Sequence, residues 1–125
     1  MAVNYHASLK STRMQAVISR IDIGTAGTLE ICSAAYASVL AIIPLLKPSF
    51  SESGGVITLL GVPRSDTSAD NTGVAAVARI KASNGDVIIN NLTVGVGTGD
   101  IQLASVDITA TQTVTITVGT ITHAA

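Results

Sequence analysis

The side chains best suited to nucleophilic chemistry are one cysteine and two histidines, and they lie far apart in the sequence. Cys32 is the only cysteine, whereas His6 and His123 lie near opposite ends of the chain. A Cys–His pair acts as a nucleophile only when the two side chains are within hydrogen-bond distance, and no flanking motif indicates this. A lone cysteine in a strand-like segment usually packs as a small apolar residue. We therefore expect no enzymatic activity, and we expect Cys32→Ser and His123→Ala to leave function intact.

The oxygen-bearing side chains do not form a recognisable acid–base or metal site. The chain has eight Asp and Glu residues, and none is paired at a spacing that predicts a shared catalytic site. Asp66, Asp70 and Asn71 are the best candidates for calcium ligands. Their spacing lacks the alternation and the terminal Glu of an EF-hand loop, and Asp and Asn are also common turn residues. The sequence therefore predicts no metal site.

Three glycines at alternate positions, Gly95, Gly97 and Gly99, superficially resemble a dinucleotide-binding motif. In that motif a helix begins at the glycines and its N-terminus holds the pyrophosphate. Here the strand-like segment DIQL follows instead, so we expect a bulged or flexible β connection and no cofactor.

Composition favours a surface that contacts other proteins. Hydrophobic residues make up 47% of the 125 residues and charged residues 12%, against the roughly 25% charge of an ordinary soluble domain. A domain of this size has too few charges to cover its surface, so part of that surface must be apolar or hydroxyl-bearing. Surface of that kind usually meets another protein.

The same composition argues against nucleic acid and membrane as partners. The net charge is −1, and the chain has two tyrosines, one phenylalanine and no tryptophan, so it offers neither a basic field nor a stacking platform. The longest apolar stretch, Ala34 to Leu46, is shorter than the roughly 20 residues of a spanning helix and contains Pro44. The segment Met1 to Arg13 lacks the pattern of a secretory signal, so we expect synthesis in the cytoplasm of the host.

The first 24 residues are predicted to form a helical arm. A helical pattern runs from about Asn4 to Ile23, with Leu9, Val17 and Ile21 near one face and Gly24 as a stop. We expect these three apolar side chains to bury against the rest of the chain or against a partner.

Residues 25–125 are predicted to form a β domain, because they are rich in Val, Ile and Thr with turn residues at short intervals. Asn84-Gly85-Asp86 predicts a turn that joins two antiparallel strands. Short strands at this spacing are typical of an antiparallel β-sandwich, of which a jelly roll is one form. The predicted strands are Thr28–Cys32, Val39–Leu46, Val56–Leu60, Val74–Ala82, Asp86–Asn91, Asp100–Leu103, Val106–Ile108 and Thr113–Ile121.

The polar segment Gly61 to Gly73 is longer than an ordinary hairpin loop, and it is the best candidate for a functional loop, although a plain solvated connection explains it equally well. If it is functional, Arg64, Asp66, Asp70 and Asn71 are its predicted partner-binding residues.

Several stretches together carry a family resemblance: NYHASLKSTRMQAVISRIDIGTAGTLEI, the proline-bearing β segment after it, SDTSADNTGVAAVARI and the Thr/Val-rich end. These stretches, which together span nearly the whole chain, resemble small structural proteins of tailed phages and are similar to cement proteins of the kind found on the Bordetella phage head. The resemblance implies a β-sandwich or jelly-roll decoration protein on the outer capsid, which clamps major capsid protein subunits, often as a homodimer. It carries over no specific contact residues.

Two other functions are compatible with the sequence. One is a phage tail or head-to-tail accessory structural protein, and the other is a carbohydrate-binding, adhesin-like module. The carbohydrate-binding module is the weakest alternative, because sugar faces usually pack on aromatic rings.

Overall fold

The fold is given by a computed structural model, which describes residues 6–122. These residues form a mainly β structure with one N-terminal helix, as the sequence predicts. The helix, α1, spans Ala7–Ile21, and a short 3-10 turn spans Ala34–Tyr36. The strands are β1 Thr28–Cys32, β2 Val39–Pro44, β3 Phe50–Ser53, β4 Val56–Leu59, β5 Arg64–Asp66, β6 Gly73–Val74, β7 Val77–Lys81, β8 Val87–Gly95, β9 Ile101–Leu103, β10 Asp107–Ile108 and β11 Val114–Thr122.

Most strands belong to one strongly curled sheet that resembles half a barrel, rather than to a clear sandwich. Its order is β2-β1-β7-β8-β9-β11-β4-β3, and β5 pairs with β11 beside β4. The small strands β6 and β10 form a separate pair. The predicted antiparallel sandwich is therefore wrong in its arrangement, since the larger sheet is continuous and mixed.

The mixed character comes from the parallel pair β8–β9. Only residues 96–100 join these strands, and this short connection depends on positive φ at Gly97 and Gly99. Asp100 secures the turn, because its Oδ2 accepts hydrogen bonds from the backbone N and Oγ1 of Thr93, each at 3.1 Å. A strand, and not a helix, thus follows the alternate glycines, as the sequence predicts, and the connection is short and hydrogen-bonded.

The helix packs on the sheet and contributes to the same hydrophobic core. Met14, Ile18 and Ile21 are its buried residues, and Ile21 has no exposed surface. Its N-terminus is capped where the Nδ1 atom of His6 accepts a hydrogen bond from the backbone N of Ser8 at 3.1 Å. The predicted start at Asn4 lies outside the described residues. The helix ends at Ile21, before the predicted stop at Gly24.

The turn at Asn84-Gly85-Asp86 joins β7 and β8 as an antiparallel pair, which confirms the predicted hairpin. The simple alternation predicted for the last strand is wrong at one point. Val114 and Ile116 are buried, but Val118 is exposed, because the pairing register between β11 and β9 shifts between residues 116 and 118. Such a bulge moves the following side chains to the other face.

Candidate protein-binding surface

Strand β2 and the two residues that follow it present apolar side chains on both faces. Ala41, Ile43 and Leu45 point into the core and are at most 3% exposed. The alternate residues Ile42, Pro44 and Leu46 point outward, and Ile42 and Leu46 are 38% and 40% exposed. We call these three outward residues the apolar row. An uninterrupted apolar run of this kind is typical of a strand covered on both sides, yet in the described chain the row is covered only in part.

The apolar row continues towards the start of the polar loop 61–73. Gly61 packs directly against the side chain of Leu46, and Val62, which follows it, is 37% exposed. A side chain at Gly61 would collide with Leu46, and its φ of +74° also favours glycine. Glycine therefore lets the loop pass close to the row.

The polar loop binds the free edge of β2 through its side chains. The Nε and Nη2 atoms of Arg64 donate to the backbone O of Pro44 at 3.2 and 2.6 Å. Asp66 Oδ2 accepts from the backbone N of Ile42 at 3.0 Å. Asn71 Nδ2 donates to the backbone O of Val39 at 2.7 Å. These bonds satisfy backbone groups that an edge strand leaves open, and they hold β2 in place.

The loop also connects β2 to the far side of the curled sheet. Its strand β5 pairs antiparallel with β11, where Ser65 lies opposite Thr115. Strand β5 thus has backbone hydrogen bonds to β11 on one side and side-chain hydrogen bonds to β2 on the other. Strand β2, which carries the first two residues of the apolar row, is therefore anchored along both edges. One edge binds the side chains of the loop, and the other pairs with β1.

A charged cluster lies on the same outer face, on the two strands next to β2. The pairing register puts Ile42 opposite Glu30 and Glu30 opposite Arg79. Arg79 Nε is 2.6 Å from Glu30 Oε1, and Lys81 Nζ is 3.2 Å from Glu30 Oε2. Burial by itself raises the pKa of Glu30, but the hydrogen bonds and charges of Arg79 and Lys81 outweigh it and hold that pKa below its usual value.

Tyr36 covers the cluster from the 3-10 turn. The guanidinium carbon of Arg79 lies 5.1 Å from the centre of the Tyr36 ring, within range of a cation–π interaction. The Tyr36 hydroxyl accepts from the backbone N of Asn91 at 2.5 Å and donates to Asn91 Oδ1 at 3.1 Å. Tyr36 and Asn91 both have φ of 57°, an unusual conformation that these contacts maintain. The orientation of the Arg79 side chain is therefore fixed by contacts on two sides.

The structure assigns different positions to the three residues predicted on the helix. Ile21 is fully buried in its own chain, Val17 packs partly against the core, and Leu9 is 45% exposed. The helix therefore buries its apolar face on its own sheet. A partner-binding role for these three residues stays a prediction, and Leu9 is the most accessible of them.

The four residues predicted in the polar loop are brought together along the edge of β2. Arg64, Asp66 and Asn71 use their side chains there, while Asp70 is exposed and its backbone N donates to the backbone O of Leu40 at 2.8 Å. They lie beside the apolar row and hold it in place. Direct contact of these side chains with a partner stays a prediction.

Sequence reasoning missed the apolar row and the charged cluster. A signal for the row was present, because the run Leu40–Leu46 is apolar at every position, which a strand with one solvated face does not require. The cluster gave no signal, since Glu30 and Arg79 are distant in sequence and meet only through the pairing of β1 with β7.

The remaining candidates for chemistry do not form a site in the described residues. Cys32 is buried on β1, and burial raises the pKa of its thiol. His6 caps the helix, and His123 lies outside the described residues. Within residues 6–122 no three His, Cys, Asp or Glu side chains converge on a metal position, and no pocket is present.

None of the helices in this part of the chain is long and apolar enough to cross a membrane. Comparison with known protein families, with curated proteins and with solved structures found no match.

Proposed function

We propose that this protein is a non-enzymatic structural component of a tailed-phage virion, which cements or decorates the outer capsid by binding major capsid protein subunits. The observation that carries the proposal is the apolar row, which begins on the anchored strand β2 and ends just after it, and in which Ile42 and Leu46 are 38% and 40% exposed. Cementing a shell requires a rigid scaffold with an apolar contact area repeated on many subunits, and it requires no chemistry. The resemblance to phage cement proteins supports the same function.

Apolar burial is the main source of affinity in this proposal. The chain has only seven Lys and Arg and eight Asp and Glu, so an interface on it contains few ion pairs. Exposed pairs contribute about 0–1 kcal/mol each, whereas burial contributes roughly 25 cal/mol per Å² of apolar area before association costs. Salt screens only the first of these contributions.

The experiment is to strip purified particles across a NaCl series and separately across a urea series. Pelleted particles are followed by gel, with the major capsid protein as the control that the shell itself survives. We expect this protein to stay bound in high salt and to be released by urea before the shell dissociates. Release by moderate NaCl alone contradicts an interface held by apolar burial.

A further inference from the structure

We propose that Asn84 is a site of spontaneous deamidation in the folded protein, in which the backbone nitrogen of Gly85 displaces the side-chain amide nitrogen as ammonia. The two residues lie at the tip of the hairpin that joins β7 and β8. Asn84 is the only one of the five asparagines in the sequence that precedes a glycine. The reaction is intramolecular, needs only water as a co-reactant, and is independent of the proposed function.

The reaction proceeds through a cyclic imide, the succinimide. The backbone nitrogen of Gly85 gives up its proton and forms a bond to Cγ of Asn84, while the bond from Cγ to Nδ2 breaks and Nδ2 leaves with that proton as ammonia. A water molecule then opens the ring. Cleavage of the new bond from the Gly85 nitrogen to Cγ produces aspartate, and cleavage of the original peptide bond produces isoaspartate, in which the chain runs through the side chain.

The surroundings of Gly85 leave room for this attack. A Cβ at Gly85 would meet no atom within 4 Å, so the space beside the residue is open. Because glycine has no side chain, it allows the close approach of its backbone nitrogen to Cγ of Asn84. Asn84 and Gly85 are both exposed, so water also reaches the succinimide for the second step.

Asp86 holds the amide group of Asn84 from two sides. Its backbone N donates to Asn84 Oδ1 at 3.0 Å, and its Oδ2 accepts from Asn84 Nδ2 at 3.1 Å. The first bond stabilises the negative charge that develops on Oδ1 when Cγ is attacked, as the donors of an oxyanion hole do. The second bond restricts rotation of the amide, so that Cγ keeps one orientation.

One hydrogen bond opposes the reaction and controls its rate. The backbone N of Gly85 donates to the backbone O of Ala82 at 3.0 Å, so the attacking nitrogen is engaged while the turn is closed. The bond lies in an exposed turn at the end of two strands, where local opening costs much less free energy than global unfolding. We therefore expect the attack to occur during brief openings of the turn in a protein that is otherwise folded.

Deamidation would alter the turn that holds the end of helix α1. Ser83 Oγ donates to the backbone O of Ile23 at 2.7 Å, and Asp86 Oδ2 lies 3.6 Å from Arg20 Nη2. Isoaspartate lengthens the backbone of the turn between these two contacts by one carbon atom. Aspartate removes the amide donor to the Asp86 carboxylate and puts a second negative charge beside it. Either product adds one negative charge to a chain whose net charge is −1.

The test incubates the purified full-length protein in mildly alkaline buffer and follows each asparagine by peptide mass spectrometry. Asn71 and Asn91 are controls within the same sample, because both are exposed but neither precedes a glycine. Asn84→Gln is the matched control protein, since its longer side chain has to close a larger ring and holds its carbonyl carbon less closely to the nitrogen. Circular dichroism checks that the protein stays folded, and a parallel sample is unfolded in urea.

We expect Asn84 in the folded protein to deamidate at least about tenfold faster than Asn71 or Asn91, at a rate that rises with pH because the Gly85 nitrogen must lose its proton. An isoaspartate-specific methyltransferase should label the aged wild-type protein but not Asn84→Gln. A rate at Asn84 no higher than at the two controls, or reaction only in the urea-unfolded sample, overturns the proposal. Aspartate without isoaspartate also overturns it, because direct attack of water on the amide produces no isoaspartate.

Discussion

The charged cluster makes a quantitative prediction about Glu30→Gln. This change keeps the shape of the side chain and removes the charge that pairs with Arg79 and Lys81. Breaking a fully buried pair costs about 3–5 kcal/mol, and breaking an exposed one costs about 0–1 kcal/mol. Glu30 is 9% exposed, but its two cations are 25% and 27% exposed and are partly screened by water. We therefore expect Glu30→Gln to lower the free energy of unfolding by about 2 kcal/mol at pH 7.

The loss of unfolding free energy caused by Glu30→Gln should depend on pH in a defined direction. The pKa of Glu30 is lowered in the folded protein, so the stabilisation is present above the unfolded pKa, about 4.3, and is lost as pH falls through the folded value. Gln has no such titration. The difference in unfolding free energy between wild type and Glu30→Gln should thus shrink as pH falls below about 4.

The assay is urea unfolding followed by circular dichroism at pH 7 and at pH 3. Asp86→Asn serves as the control, because it removes the same charge from the exposed pair with Arg20, where the two groups are 3.6 Å apart and 54–60% exposed. That control should cost less than about 1 kcal/mol. Our reasoning is refuted by a Glu30→Gln cost no larger than the control at pH 7, or by a cost of the same size at pH 3, which would point to packing instead of charge.

Three further predictions follow from the packing of the fold. Gly27→Ala should destabilise the fold strongly, because a Cβ there would lie 2.5 Å from the backbone O of Lys81. A Cβ at Gly54 would meet no atom within 4 Å, so Gly54→Ala should lower the free energy of unfolding by only about 1–2 kcal/mol, because of its positive φ. Thermal unfolding of both variants checks this. Ile21→Ala should lower the free energy of unfolding by about 2–5 kcal/mol, because Ile21 is fully buried. Leu9→Ala should change it by less than about 0.5 kcal/mol, because Leu9 is 45% exposed. Equal effects of the two variants in urea unfolding would contradict the packing of the helix on the sheet. Cys32→Ser should leave rebinding to stripped particles unchanged once the protein is folded, and a large loss of binding by the folded variant would contradict a purely structural role for Cys32.

The helix and strands of this protein were predictable where apolar and polar residues alternate regularly or where typical turn residues mark the end of an element. Strand β1 has the predicted bounds Thr28–Cys32, and the turn at Asn84-Gly85-Asp86 joins the predicted strands. The mainly β character of the chain and its N-terminal helix follow from the same local signals. These features depend on residues that are close together in the sequence, so the pattern of residue types is enough to predict them.

The polar strands were not predictable in the same way. Strand β3 has the sequence FSES and β5 has RSD, so neither carries the branched apolar residues that indicate a strand. They become strands because β4 and β11 supply backbone partners. The side-chain hydrogen bonds of Arg64 and Asp66 to β2 likewise result from the curl of the sheet, which brings together residues 20 and 24 positions apart.

The arrangement of the sheet was also beyond local patterns. A sandwich and a curled single sheet contain similar strands, and the difference lies in which strands pair. Here strands β8 and β9 pair in parallel, with Val94 opposite Ile101, and this pairing keeps the sheet continuous at that point. The apolar row was hidden for a related reason, since Ile42 and Leu46 look like core residues until the structure shows that more than a third of each side chain stays exposed.

The central claim is that this chain is a structural subunit of the phage shell, and its copy number in purified particles tests that claim most directly. Quantitative mass spectrometry of intact virions gives the molar ratio of this protein to the major capsid protein. A cement or decoration protein binds equivalent positions all over the shell, so we predict a fixed ratio in which this protein is present at many copies per particle. Absence from the particle, or a copy number as low as that of tail or head-to-tail components, would contradict the account.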